Sequence, residues 1–139
     1  MTFAVALLVA GVLGALALAH FFWALGGAGG FDAAIPQHNG KPVFTPHPIA
    51  TALVGCALLV AAAIVLGRIG FWGATWPCWI FQFGTWGLAG MFLLRGIGDF
   101  RYIGLFRRVR DTRFARWDAR LFTPLCLLLA ALLGRVAQS

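Results

Sequence analysis

Apolar residues dominate four stretches of the chain: Thr2 to Leu25, Ile49 to Leu66, Cys78 to about Gly98, and Leu121 to Val136. The first two contain no charged residue. Each approaches the roughly 20 residues that an α-helix needs to cross a bilayer core. None shows the alternation of apolar and polar positions that marks a barrel strand. Hydrocarbon offers no partner for a free backbone N–H or C=O, so such segments satisfy their hydrogen bonds internally, as helices. The pattern predicts an all-α, integral membrane four-helix bundle in one domain, with a basic amphipathic segment between the third and fourth helices. Pro77 suits the first turn of the third helix, and Thr123-Pro124 reads as an N-cap followed by the first helical position of the fourth. Ala17-Leu18-Ala19 imitates a cleavage site, but no Lys or Arg precedes the first run, so that run is expected to remain as a span. Ala10-x-x-x-Gly14 on the first helix and Gly84, Gly87 and Gly90 on the third offer small residues where backbones could approach closely.

Composition excludes the aqueous alternative. Of 139 residues, 61% are hydrophobic and 11% charged, against about 25% charged in an ordinary soluble domain. That many charges cannot coat a soluble globule, and the length leaves no room for a separate catalytic domain beside four spans. Eleven basic and four acidic residues give a net charge of +7, and their placement suggests an orientation. Lys41, Arg101, Arg107, Arg108, Arg110, Arg113, Arg116 and Arg120 fall in the linkers 26–48 and 99–120, which four crossings put on one side, with Arg95 just inside the membrane. Arg68 and Arg135 belong to the other side. The positive-inside bias then makes those two linkers cytoplasmic and both termini external, in a cell inner membrane. Trp72, Trp76 and Trp79 are expected as interfacial anchors at the opposite end.

Topology also sorts the reactive side chains by depth. His20, Asp32, His38, His47, Arg95, Asp99 and Asp118 all fall in the predicted cytoplasmic half, so a polar pocket is expected at that mouth. Arg95 and Asp99 share a helical face, and a carboxylate at a helix C-terminus needs a partner that Arg95 could supply. The alternative to a functional ion pair is a structural pair with a snorkelling arginine. His20 could act as a general acid or base, a metal ligand, or a neutral imidazole bonded across helices. His38 and His47 are nine apart in a segment punctuated by Pro36, Asn39-Gly40, Pro42, Pro46 and Pro48, which matches no compact zinc motif. Haem ligation by His20 with one loop histidine has no motif behind it, and no metal or other cofactor is assigned. Asp118 could favour the N-terminus of the fourth helix or pair with Arg116 or Arg120.

Cys56, Cys78 and Cys126 form no C-x-x-C, and Cys56 and Cys126 read as small buried hydrophobes. Gly26-Gly27-Ala28-Gly29-Gly30 lacks the Gly-Lys-Ser/Thr of a phosphate loop and reads as a flexible linker. The stretch from Arg101 to Arg120 interleaves arginines with Phe100, Ile103, Phe106, Phe114, Trp117 and Leu121. It reads as a basic surface helix suited to anionic lipid headgroups rather than nucleic acid.

Three segments carry a resemblance. His20-Phe21-Phe22-Trp23-Ala24-Leu25-Gly26-Gly27, Leu94-Arg95-Gly96-Ile97-Gly98-Asp99-Phe100-Arg101-Tyr102, and Phe114-Ala115-Arg116-Trp117-Asp118 through Pro124-Leu125-Cys126 together resemble a bacterial family of small four-span membrane proteins, domain of unknown function number 3995. The likeness runs over nearly the whole chain. It implies a four-helix membrane fold with these polar positions as its signature, and no activity or ligand. Phe22, Ala119 and Phe122 stand where the family pattern suggests Tyr, Thr and Tyr, so no role can rest on those hydroxyls.

Two functions fit. In the first, a pocket binds, and could transform, a small lipophilic molecule such as an isoprenoid, quinone or sterol-like compound. His20 or Asp99 would shuttle a proton there, with Trp23, Arg95, Arg101 and Asp118 binding the ligand. In the second, the chain is a non-catalytic subunit or assembly factor of a larger membrane complex. A homo-oligomer is compatible with either.

Overall fold

A computed structural model describes residues 2–38, 41–72 and 76–139; Asn39-Gly40 lies outside them. Among the described residues the regular structure is almost all helical, as the apolar runs predict. Helix α1 spans Thr2–Ala24, and the short α2 covers Phe31–Ala34. A two-residue pair, β1 (Gln37–His38) with β2 (Lys41–Pro42), closes the linker before α3 (Pro48–Arg68). Helix α4 runs from Cys78 to Ile97, α5 from Arg113 to Trp117, and α6 from Thr123 to Gln138.

Each start has a local cause. His47 caps α3, its Nδ1 accepting the Ile49 N–H at 3.3 Å ahead of Pro48 at the first position. Thr112 caps α5 through its hydroxyl, which accepts the Ala115 N–H at 3.1 Å. The expected N-cap at Thr123 is therefore corrected. Residues Asp118–Phe122 form a π-helical turn that joins α5 to α6 in one 26-residue helix, Arg113–Gln138. Pro124 has no amide and its ring crowds the preceding turn, which a π-turn tolerates. The basic stretch is corrected as well: from residue 98 to Thr112 it is a folded loop, and only from Arg113 onward is it helical. Its backbone is organised around glycine turns and a carboxylate rather than an amphipathic helix.

Contacts along the long helices fix their directions. Phe21 covers Gly55, Phe81 covers Gly67, Ile64 meets Gly84 and Leu127 meets Gly96, so successive long helices run antiparallel. Helix α1 packs on α3 and α6, and α4 on α3 and α6. Between them lies a core of Ala6, Val9, Leu13, Val65, Leu129, Leu133 and Val136. A side chain at Gly14, Gly87 or Gly90 would meet open space, so close approach occurs instead where a glycine lies under an aromatic or aliphatic side chain.

The outward faces are as apolar as the core. Leu18 (69% exposed), Phe83 (67%) and Leu94 (69%) exemplify side chains that only a lipid environment accommodates in such numbers. Cys56 is also exposed on α3, against the expectation that it is buried. Helices α1, α3 and the Arg113–Gln138 helix are long and apolar enough to cross a membrane. At 20 residues, α4 has the length, but Gln82, Thr85 and Arg95 dilute its hydropathy. The chain is a membrane protein.

Candidate functional site

At one end of the helices the chain folds back on a single carboxylate. Asp118, in the π-turn, is completely buried. Its Oδ1 accepts from Arg95 Nη2 at 2.9 Å. Its Oδ2 accepts from the Gly104 N–H at 2.8 Å, the Thr123 hydroxyl at 3.0 Å and Arg107 Nη1 at 3.3 Å. Arg107 also donates to the Gly104 carbonyl at 2.6 Å. One negative charge thus serves two guanidinium groups, and α4, the loop and α6 are tied at one atom cluster. The backbone permits this only through glycine: Gly98 and Gly104 have φ of 89° and 88°. A Cβ at Gly104 would collide with the Ile97 carbonyl and Gly98 Cα.

The expected Arg95–Asp99 pair is corrected. Asp99 lies beyond the end of α4, and its Oδ1 accepts the N–H groups of Arg101, Tyr102 and Ile103 at 2.9, 2.7 and 2.9 Å. Partial burial on its own would raise its carboxyl; the N–H donors of Ile103, Arg101 and Tyr102 outweigh that and hold it below the ordinary value. These bonds also sustain Phe100 in the left-handed region at φ 61°, a conformation that costs an ordinary residue about 1–3 kcal/mol. With that corner fixed, Phe100 stacks on Phe106 at 5.9 Å.

Beside this knot, α1, α3, α4, α6 and the first linker enclose an open cavity of about 710 Å³. Leu16, Leu58, Phe92, Ile103 and Leu129 give it an apolar wall, and His20, Trp23, His47, Thr51, Arg95 and Cys126 supply the polar or polarisable groups. His20 Nδ1 lies 2.8 Å from the Leu16 carbonyl. A carbonyl only accepts, so Nδ1 carries the proton and Nε2 of the neutral ring is left as a base. Trp23 packs edge-on against His20 at 5.3 Å and donates its indole N–H to the Gly29 carbonyl at 2.8 Å. The glycine run 26–30 thereby forms a shaped turn against Phe22 and Trp23, with φ of 94° at Gly26 and 73° at Gly30.

The structure brings His20, Trp23 and Arg95 to one cavity and holds Arg95 there through Asp118. It does not bring Asp99 or Arg101 to that cavity. Both line a separate open hollow of about 610 Å³ with His38, Phe100, Arg108 and Val109, where Arg101 covers the Tyr102 ring at 5.1 Å. Asp118 contacts neither Arg116 nor Arg120 through hydrogen bonds or ion pairs among the described residues. Arg107, Gly104 and Thr123 are partners of Asp118 that no local sequence signal announces, whereas His47, one of the polar residues expected at this mouth, lines the cavity. The π-turn is what places Thr123 within reach of Asp118. Among the described residues no cluster of three or more His, Cys, Asp or Glu side chains could hold a metal ion.

The chain matches the family described as "Protein of unknown function (DUF3995)" over residues 3–133, and it belongs to that family. No curated protein and no solved structure matches it.

Proposed function

We propose that this member of the family binds a small lipophilic molecule, of isoprenoid, quinone or sterol-like size, inside the membrane-embedded helices and presents its polar end to His20 and Arg95. The observation that carries the reading is the cavity of about 710 Å³, mostly apolar in its walls, with His20, His47 and Arg95 among the few polar groups that line it. A fully packed interior would have supported a purely scaffolding role. In this reading Arg95 holds a carbonyl or anionic group, His20 Nε2 accepts a proton from the ligand or a water, and Asp118 is a positioning residue for Arg95. Asp99 serves the loop.

The same reading takes the chain across the inner membrane four times. In support of it, helix α4 lies antiparallel to α3 and α6 along its length, from Phe81 on Gly67 to Gly96 beside Leu127, flanked by helices long and apolar enough to cross. Both termini then face outward, and the linkers 26–48 and 99–120 face the cytoplasm, where Arg101, Arg108 and Arg110 meet anionic headgroups. The test is ligand retention: wild-type protein and His20→Ala purified in mild detergent, followed by lipid extraction and mass spectrometry. A lipophile retained by wild type and lost from a folded His20→Ala supports the reading. A tightly bound, stoichiometric protein partner with no extractable lipophile would assign the chain to a larger complex instead.

A further inference from the structure

Building on the cavity reading above, we infer that its occupant is an amphiphile with an anionic head, a carboxylate or a phosphate, seated at Arg95. Arg95 and Arg107 share the single carboxylate of Asp118, so the cluster carries a net charge of +1. Asp118 is fully buried, and the Arg107 side chain is 13% exposed, so water reaches that excess mainly at Arg95. Arg95 is 34% exposed and lines the cavity, which makes the cavity the side from which a second anion can approach. Among the described residues no acidic side chain lines it. The chain has four, Asp32, Asp99, Asp111 and Asp118. Of these, Asp118 is already shared, Asp99 is committed to loop N–H groups, and Asp32 and Asp111 are exposed.

Hydrogen-bonding capacity points the same way. Arg95, which lines the cavity, has its Nη1 buried without a partner among the described residues, and a buried donor left unpaired is costly. His47 accepts the Ile49 N–H at Nδ1, so its neutral ring carries the proton on Nε2 and adds a donor to the lining. A low-dielectric cavity with an uncompensated guanidinium favours an anion far more than water would. The apolar wall then takes the chain of the same molecule.

Three probes with one hydrocarbon chain, oleate, oleyl phosphate and oleyl alcohol, separate head from tail. Full-length protein carrying Cys56→Ala and Cys78→Ala keeps Cys126, a cavity-lining residue, as its only thiol. In phosphatidylcholine nanodiscs, each probe is titrated against the rate of Cys126 alkylation by N-ethylmaleimide, with the melting temperature as an independent second readout. An anionic probe is expected to protect at least about tenfold more tightly than the alcohol, a difference of about 1.4 kcal/mol. Which of oleate and oleyl phosphate protects better identifies the head. Equal protection by all three would leave the lipophile reading standing and overturn the anionic head. No protection and no thermal shift by any probe would overturn both. Arg95→Gln should abolish the preference between anionic and neutral probes; if that variant does not fold, the comparison on the Arg95 protein still decides.

Discussion

Replacing Asp118 with Asn tests the carboxylate that joins α4, the loop and α6. The substitution conserves shape and removes charge. Asparagine offers one oxygen where the carboxylate offers two, and both are in use: Oδ1 by Arg95, and Oδ2 by Gly104, Thr123 and Arg107. With its oxygen at the Oδ2 position, the amide NH2 confronts the Arg95 guanidinium at a site where acceptor and donor now stand 2.9 Å apart. The opposite orientation abandons the Gly104 N–H and Arg107, while the Thr123 hydroxyl can turn to accept. In either case the two arginines lose their anion. Breaking a buried pair costs about 3–5 kcal/mol. Arg95 is one-third exposed, and water relieves part of its loss, so the lower end, about 3 kcal/mol, applies. For a chain of this length that corresponds to a fall in melting temperature of roughly 10 °C, read by thermal-shift size-exclusion chromatography in detergent. A double-mutant cycle with Arg95→Gln should give a coupling of at least about 1 kcal/mol. An Asp118→Asn protein melting within about 2 °C of its parent, with additive single effects, would refute the carboxylate as the structural hub.

Gly104→Ala should loosen the loop by about 2–3 kcal/mol, because φ is +88° and the added methyl meets the Ile97 carbonyl; faster amide exchange over residues 98–109 would register it. For Asp99, the folded-state carboxyl lies below its ordinary value, so its contribution is fully present above the reference pKa of 3.8 and disappears as pH falls through the lowered value. Exchange protection at Arg101, Tyr102 and Ile103 should therefore persist at pH values near the reference and be lost below it, and Asp99→Ala should abolish it at neutral pH. Alkylation by a lipid-soluble maleimide should reach Cys56, on the outer face of α3, faster than Cys126 in the cavity wall; the reverse order would contradict the packing.

Much of this arrangement is legible in the residues. The apolar runs give the first three long helices to within a few positions, because lipid leaves the backbone no other way to satisfy itself, whereas the fourth helix starts at Arg113, eight residues before its apolar run. The lining of one cavity by both His20 and Arg95 agrees with the expected antiparallel order of the helices. Periodicity could not reveal the exchange of partners at Asp118. Arg95 and Asp99 are spaced as a helical pair, but α4 ends at Ile97, and past that point i,i+4 spacing no longer implies contact. Thr123-Pro124 carries the composition of a helix start and sits inside a helix, since the π-turn accommodates the missing amide. The arginine-rich stretch has the composition of an amphipathic helix; Gly98 and Gly104, with the Asp99 carboxylate, hold it as a loop instead. Glycine φ angles and long-range side-chain bonds are tertiary facts, and no local pattern announces them.

The most direct measurement is an experimental density map of the protein purified from its own membrane without added lipid. A chain-shaped density between α1, α3 and α6, passing Trp23 and ending within hydrogen-bonding distance of Arg95 or His20, is the predicted result. An interior in which Leu16, Leu58, Phe92 and Leu129 close on one another and leave no space would contradict the account.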